Sequence, residues 1–197
     1  MKYTSQLIER AISKELLTIE EGVILFKNAS LSELMHAADF VRKQLHPTNE
    51  VSWMIDRNVN YTNVCIAGCK FCNFSCGKHS QRAYVLTSEE LFMKIDEMYA
   101  LGGRQLLLQG GLHPNHGLAF YEEMFSTIKQ AYPDVKLHAL GPAEIAHIAN
   151  NEKCSVAEVL KKLVHAGLDS LPGAGAEILS ERVRAVLSPN KCTAAQW

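Results

Sequence analysis

Four of the six cysteines in this 197-residue chain lie between residues 65 and 76. Cys65, Cys69 and Cys72 have the spacing C-x3-C-x2-C, and Cys76 follows four residues later. Cysteines grouped in this way can form disulfides, bind zinc or hold an iron–sulfur cluster. A short loop that carries three thiols at this spacing can wrap around one ion or one cluster, so coincidence is a poor explanation for the pattern.

Charge and hydropathy indicate the compartment and exclude two classes of partner. The chain has 20 basic and 21 acidic residues, and no window has the dense Lys/Arg cluster that nucleic acid or an anionic membrane would require. The first twenty-one residues are interrupted by charges every few positions, and no apolar run could span a bilayer. We therefore expect a cytoplasmic protein without a nucleic-acid or membrane partner. Structural disulfides are rare in that reducing compartment, so clustered cysteines there are more often metal ligands or catalytic thiols.

Zinc and an iron–sulfur cluster make different demands on the ligands. Structural zinc usually takes four ligands, commonly in two C-x2-C-type pairs that are far apart in sequence. The later cysteines, Cys154 and Cys192, are isolated and are interpreted as structural or incidental thiols. Cys76 could complete four local ligands, but four thiolates from one loop are more typical of a cluster. A cluster held by three cysteines leaves one iron open to an external ligand.

The cysteine loop is preceded by helices and follows a strand. Amphipathic periodicity predicts helices over about 4–14, 19–28 and 31–45, which we interpret as a small cap spanning 1–50. The remainder, 51–197, is predicted to form a second domain. Its first strand is "VNYTNV", which alternates in polarity and brings the cysteines to its C-terminal end.

Helices and strands alternate after the loop. Capping boxes at Thr87-Ser88-Glu89-Glu90 and at Ser155-x-x-Glu158 each predict the start of a helix. The first of these helices is predicted to end at Gly102-Gly103 and the second at Gly167. "RQLLLQGG" and "VKLHAL" are predicted strands on either side of a helix at about 117–131, and "LDSLPGAGAEIL" supplies a short strand, a glycine turn and another helix. This order predicts about four βα units on a parallel sheet, with function at the C-terminal ends of the strands.

The predicted fold class is α/β, the N-terminal part of a (β/α) TIM-type barrel preceded by the helical cap. A complete barrel of this type needs roughly 250 residues, so the domain looks truncated. We expect the inner face of the half-barrel to be exposed and its last strand to be unpaired on one side.

The segment Cys65-x-x-x-Cys69-x-Phe71-Cys72 resembles the signature of the radical S-adenosylmethionine (SAM) enzymes. The resemblance implies a [4Fe-4S] cluster on Cys65, Cys69 and Cys72, whose open iron binds the amino and carboxylate groups of SAM. It also implies that one electron, from a donor such as flavodoxin or ferredoxin, cleaves SAM into methionine and a 5′-deoxyadenosyl radical that abstracts hydrogen from the substrate. A fourth thiolate would shut out SAM, so Cys76 is interpreted as a bystander.

Three longer blocks resemble the radical SAM enzymes of the futalosine route to menaquinone and their deazaflavin-forming relatives. These blocks are "DRNVNYTNVC", "LLLQGGLHP" and "GLDSLPGAGAEIL", the last with Ala174 where relatives generally have glycine. "YTN" before the first cysteine and "QGGLHP" after the second strand are similar to the branch that converts dehypoxanthine futalosine to cyclic dehypoxanthinyl futalosine. The resemblance therefore implies a radical cyclisation of a nucleoside-like substrate. Aminofutalosine synthases and deazaflavin-forming (FO) synthases are the alternatives within the family.

The resemblance also implies residues that bind the cofactor. Phe71 lies within the cysteine signature, and Gln109, Gly110 and Gly111 match the turn that lets the methionine end of SAM approach the backbone. Glycine is equally suited to an ordinary βα turn, which is the structural alternative. Two residues of the predicted fourth strand, Asp169 and Ser170, are candidates for the SAM ribose by position.

Four further residues are candidates for catalysis. Glu144 and Glu177 each follow a predicted strand or turn, and either could be the general base or hold a sugar hydroxyl. Alternatively, both are acids in the first turn of a helix. His113 could reach the substrate or be solvated, and Tyr61 could line the cavity or belong to the core.

Two hypotheses of other classes stand beside the enzyme. One is a module that binds a cluster or zinc without turnover, and the other is a fragment that folds poorly. The sequence does not indicate an oligomeric state.

Overall fold

The computed structural model describes residues 2–197, which divide into a helical unit ending at Trp53 and an α/β unit over Met54–Trp197. The helical unit contains α1 (Lys2–Ile12), α2 (Ile19–Asn28) and α3 (Leu31–Leu45), and α1 packs against both of the others. Capping boxes, in which a hydroxyl and a glutamate exchange hydrogen bonds, begin α2 and α3. Within the described residues, none of the helices is long and apolar enough to cross a bilayer.

The α/β unit alternates strands with helices, as the sequence predicts. Its elements in chain order are β1 (Asp56–Asn60), α4 (Ser88–Ala100), β2 (Gln105–Gln109), α5 (Leu118–Ala131), β3 (Lys136–Ala139), α6 (Pro142–Glu152), α7 (Val156–Ala166) and α8 (Glu181–Leu187). The three strands form a parallel sheet in the order β1-β2-β3. Asn60 at the end of β1 pairs with Gln109 at the end of β2, so the C-terminal ends of the strands meet at one edge.

The two faces of the sheet differ in burial. Val59, Leu106, Leu108, Leu137 and Ala139 alternate along the strands and are buried in the core with side chains of the flanking helices. Asn58, Leu107 and His138 share a register on the opposite face, where Asn58 is exposed and the other two are half-buried. The fold is therefore a partial α/β barrel with its inner face open to solvent.

The bounds predicted for the first strand are wrong, because only the first two residues of the predicted segment 59–64 lie in β1. β1 ends at Asn60, and residues 61–63 are irregular apart from one isolated antiparallel bridge between Thr62 and Val85. Thr62 donates its hydroxyl to the carbonyl of Tyr84 at 2.6 Å, and Asn63 donates its amide to the carbonyl of Arg82 at 2.7 Å. These polar side chains bind the loop that returns from the cysteines, so the chain leaves the sheet there.

The predicted fourth strand is a single parallel bridge between Ser170 and His138 within the described chain. The carboxylate of Asp169 accepts the N–H of Leu137 at 2.8 Å, and a proline and two glycines follow within six residues. These residues limit the ladder to one pair. The helix after the glycine turn, α8, begins only at Glu181. No bounds were predicted for α6, which no hydroxyl caps, but Glu144 lies in its first turn, as the structural alternative for that residue has it.

Candidate functional site

A cavity of about 280 Å³ lies at the edge of the sheet where the strands end. Its walls bring together most of the residues that the sequence singles out. Among the lining residues are Cys65, Cys69, Phe71, Cys72, Gln109, Gly110, Gly111, Glu144, Glu177 and Lys191. The cysteine loop, the turn after β2, the start of α6 and the segments around α8 thus meet at one site.

The three predicted cluster ligands are free, half-buried thiols. The N–H groups of Ala67 and Leu112 point at the sulfur of Cys65, at 3.4 and 3.3 Å. Burial raises the pKa of Cys65, and these two donors act in the opposite direction. Burial also opposes ionisation of Cys72, but hydrogen bonds from Ser75 and its neighbour, with the charge of a nearby lysine, outweigh it and lower the pKa of Cys72. Such hydrogen bonds stabilise thiolates, which are the form that binds iron.

The cysteine loop is attached to the segment after α8. The N–H of Lys70 donates to the carbonyl of Leu187 at 2.8 Å. Asn190 donates its backbone N–H to Ala67 at 3.2 Å and its side-chain amide to the carbonyl of Ile66 at 3.0 Å. Residues 187–190 therefore hold the backbone that carries the first two cysteines, a role for which no local motif exists in the sequence.

Cys76 closes the loop through its backbone. Its carbonyl accepts the N–H of Cys65 at 3.0 Å, and its own N–H donates to Asn63 at 2.9 Å. Cys76 does not line the cavity, whereas the other three clustered cysteines do. This placement is compatible with its interpretation as a bystander.

The glycine turn after β2 packs tightly against the cysteine loop. A Cβ atom added at Gly111 would overlap the carbonyl oxygen of Val64 and the Cβ of Cys65, and one at Gly110 would overlap the ring of Tyr61. The turn therefore requires glycine because two parts of the chain approach each other closely. Both glycines and Gln109 also line the cavity, where they could contact SAM. That contact stays a prediction.

Glu144 is a buried carboxyl group at the start of α6. Its Oε1 accepts the hydroxyl of Tyr61 at 2.7 Å and the N–H of Gly110 at 3.1 Å. Burial raises the pKa of Glu144 to about 7, although these hydrogen bonds act in the opposite direction. Burial, together with the neighbouring carboxylate, raises the pKa of Tyr61 well above its ordinary value, so Tyr61 remains a donor. A carboxyl group with this pKa can take up or release a proton near neutral pH.

Glu177 faces the same cavity in a different electrostatic setting. It lies before α8 with a left-handed φ of 44°, so it is not the first-turn acid of the structural alternative. Its carboxylate lies 2.7 Å from the ammonium of Lys191 and 3.9 Å from the guanidinium of Arg184. Arg184 is 4% exposed and binds the carbonyls of four residues around the glycine turn and the C-terminal segment.

Tyr61 and three other predicted site residues, His113, Asp169 and Ser170, lie outside the lining of this cavity. His113 is buried and stacks on His116 with ring centroids 3.6 Å apart. Asp169 binds Lys129 at 2.6 Å and the backbone of β3, and Ser170 lies 2.7 Å from the Nδ1 atom of His138. The structure does not bring these three together with the cysteines, and a role for them in catalysis or ribose binding stays a prediction. Tyr61 supports the site through its hydrogen bond to Glu144 and through its ring, which lies against Gly110.

The donor set fits an iron–sulfur cluster. Three thiols share one wall, two N–H groups point at one of the sulfurs, and a lysine lies on the same cavity. Across residues 2–197, no three His, Cys, Asp or Glu side chains are gathered around one metal-ion position. Three free cysteines that line one cavity would supply three of the four ligands of a [4Fe-4S] cluster. Lys191 and Asn190 belong to the site although sequence reasoning missed them.

The sequences of several curated relatives align with almost the whole length of this chain. It is 39% identical over 194 residues to the cyclic dehypoxanthine futalosine synthase of Streptomyces coelicolor, covering 97% of this chain and 49% of the relative. The synthase of the same name from Halalkalibacterium halodurans is 39% identical over 97% of this chain and 52% of its own length. A 5-amino-6-(D-ribitylamino)uracil–L-tyrosine 4-hydroxyphenyl transferase from Cyanothece sp. is 36% identical, with coverages of 97% and 52%. The chain thus spans about half the length of these curated relatives.

The fold and the sequence family agree. The maturase HydG of [FeFe]-hydrogenase superposes on 95% of this chain and 40% of its own, with a TM-score of 0.68 at 18% identity, a likeness that concerns the fold alone. The model of the radical SAM superfamily matches residues 59–197, which contain the cysteine loop and every wall of the cavity. The chain therefore belongs to the radical SAM superfamily.

Proposed function

We propose that this chain carries the cluster- and SAM-binding part of an enzyme that cyclises dehypoxanthine futalosine in menaquinone biosynthesis. The observation that carries the proposal is the convergence of Cys65, Cys69 and Cys72 with the glycine turn on one cavity, in a chain 39% identical to two such synthases. When bound, a [4Fe-4S] cluster and SAM supply an organic radical that abstracts hydrogen from the substrate.

Different residues of the cavity bind the cluster and SAM. The three cysteines hold the cluster, with the backbone N–H groups of Ala67 and Leu112 supporting the thiolate of Cys65. Gln109, Gly110 and Gly111 form the adjacent wall, where the methionine end of SAM approaches the backbone. Phe71 is 52% exposed beside the last cysteine and offers an apolar surface to the cofactor.

Glu144 is the better candidate for the general base. The cyclisation must release a proton for the aromatic ring to be restored, and a base whose pKa lies near the working pH accepts it most effectively. The pKa of Glu144 is raised to about 7 by burial, and Tyr61 and Gly110 fix the position of its Oε1. Glu177 is paired with Lys191, which suits it to hold a polar group rather than to accept a proton.

Anaerobic reconstitution tests the first half of the proposal. The full chain is loaded with iron and sulfide, reduced, and examined by electron paramagnetic resonance with and without SAM. A [4Fe-4S] signal that SAM shifts is expected, and it should be lost in Cys69→Ser and retained in Cys154→Ser, since Cys154 does not line the cavity. If no cluster forms, or if SAM leaves the signal unchanged, the site does not do this chemistry.

A second activity is favoured by the 36% identity to the tyrosine 4-hydroxyphenyl transferase. The two candidates are separated by incubating the reconstituted chain with a low-potential one-electron reductant, SAM and either dehypoxanthine futalosine or tyrosine plus 5-amino-6-(D-ribitylamino)uracil. Mass spectrometry should detect 5′-deoxyadenosine and a cyclised product only with the first substrate. Product formation only with the second pair would assign the chain to the transferase.

A further inference from the structure

Lys191 places a fixed positive charge on the wall of the cysteine cavity. Its side chain is 12% exposed, and its ammonium lies 2.7 Å from Oε1 of Glu177. The end of the side chain lies against Gly175, where an added Cβ would be 3.5 Å from Nζ. The backbone N–H of Lys191 donates to Ser188 at 3.1 Å, so the main chain is fixed as well. The ammonium is therefore held in position and not free to move through solvent.

The charges on this wall do not cancel. Glu177 is a single carboxylate between two cations, Lys191 at 2.7 Å and Arg184 at 3.9 Å. The two terminal nitrogens of Arg184 bind neutral carbonyl groups, its Nε has no hydrogen-bond partner, and only 4% of its side chain is exposed. Glu144 is the other carboxyl group on this cavity, and because burial raises its pKa to about 7 it is largely protonated below neutral pH. Below pH 7 one positive charge in excess therefore remains on a cavity that is also lined by three cysteines, whose binding to iron requires the thiolate form. Because this surface is partly withdrawn from water, the excess charge acts more strongly on its neighbours than it would in bulk solvent.

We propose that Lys191, oriented by Glu177, stabilises the reduced state of the iron–sulfur cluster. The inference rests on the proposed function, since it requires the cluster on Cys65, Cys69 and Cys72. One electron arrives from a low-potential one-electron donor, no bond forms or breaks and no proton moves. Reduction adds one negative charge next to the ammonium, and net charge near a cluster is one of the quantities that set its potential. The ammonium of Lys191 thus acts on the potential of the cluster through its charge and is not a catalytic residue.

Redox titration of the full, reconstituted chain tests the proposal. In Lys191→Met we expect the equilibrium to shift toward the oxidised cluster by about tenfold, from one charge in a partly buried setting, which is 59 mV for one electron. Lys191→Arg retains the charge and should titrate like the parent. Glu177→Gln removes the opposing carboxylate and should shift the equilibrium toward the reduced cluster.

The opposite signs distinguish electrostatics from structure. Lys191→Met and Glu177→Gln both break the same ion pair, so a merely structural pair would shift the two titrations in the same direction. Lys162→Met, in the exposed part of α7, is the charge-matched control and should not move the potential. The inference would be overturned if the potential shifts in the same direction in Lys191→Met and Glu177→Gln. It would also be overturned if Lys191→Met shows no shift while circular dichroism shows that all variants are folded. Failure of the parent to bind a cluster would instead refute the proposed function, and this inference with it.

Discussion

Replacing Glu144 by glutamine should change how the stability of the α/β unit depends on pH. Glu144 is 6% exposed, and burial raises its pKa from 4.5 to about 7. At 1.36 kcal/mol for each pKa unit, the ionised form is disfavoured in the folded state by about 3 kcal/mol relative to the unfolded chain. Glutamine has nearly the same shape, and its carbonyl oxygen can still accept from Tyr61 and Gly110.

The sign follows from the raised pKa. Below pH 4.5 the carboxyl group is protonated in both states, so its ionisation has no cost. Between pH 4.5 and about 7 the unfolded chain releases the proton while the folded chain retains it, so the parent loses stability as the pH rises. Glu144→Gln lacks this loss, and the free energy of unfolding of the variant minus that of the parent should increase by about 3 kcal/mol across this window.

Urea unfolding at several pH values measures this difference, with reduced thiols and no iron. A Trp53→Phe background leaves Trp197, whose indole N–H donates to Ala174 at 3.0 Å, as the reporter of the α/β unit. Glu158→Gln is the contrasting control, because capping hydrogen bonds from Ser155 lower the pKa of Glu158 and its contribution is lost as the pH falls. A difference for Glu144→Gln that stays flat or decreases from pH 4.5 to 7.5 would refute the reasoning.

Three further predictions concern the supports of the site. Asn190→Ala should speed the release of iron to a chelator several-fold while helical content is unchanged, because the cysteine loop loses a side-chain hydrogen bond; release at the parental rate would contradict this. Gly111→Ala should destabilise the protein by about 2 kcal/mol in urea unfolding, since the added methyl overlaps backbone, whereas Gly22→Ala, with open space in α2, should stabilise it by up to about 1 kcal/mol. Asp169→Asn should lower the free energy of unfolding by about 1 kcal/mol at neutral pH. Partial burial opposes ionisation of Asp169, but hydrogen bonds from Lys129 and from β3 outweigh it and lower the pKa of the carboxyl group. The difference between variant and parent should therefore disappear in acid, where the parental carboxylate is protonated as well.

Elements with local signals could be predicted from the sequence, and those that depend on distant contacts could not. The hydroxyl–glutamate pairs at Thr87 and Ser155 lie within one helical turn, and α4 and α7 begin where they predict. In contrast, α6 begins at Pro142 after Gly141, which offers no side-chain cap, so only the proline and the acid in the first turn, Glu144, could have indicated it. The end of β1 was misplaced because Thr62 is fixed by a loop more than twenty residues later.

The same distinction applies to the site. The spacing of Cys65, Cys69 and Cys72 is a local pattern, and the loop that carries them follows the C-terminal end of β1, as the sequence predicts. The environment of Glu144 depends on Tyr61, which lies 83 residues earlier in the chain. Lys191 meets Glu177 across fourteen residues of irregular chain and α8, and no motif connects them. Charge and burial at the site are thus tertiary properties.

The cysteine loop depends on two other parts of the chain for its conformation. The turn after β2 fits against it only because residue 111 has no side chain, and the N–H of Leu112 reaches the sulfur of Cys65 from that turn. The segment after α8 holds the loop from the other side through Asn190 and continues directly into Lys191. Since the segment that fixes the thiols also carries the ammonium, the geometry of the ligands and the charge beside them are coupled. A change that loosens residues 187–191 therefore weakens the hold on the cluster and moves the charge beside it at the same time.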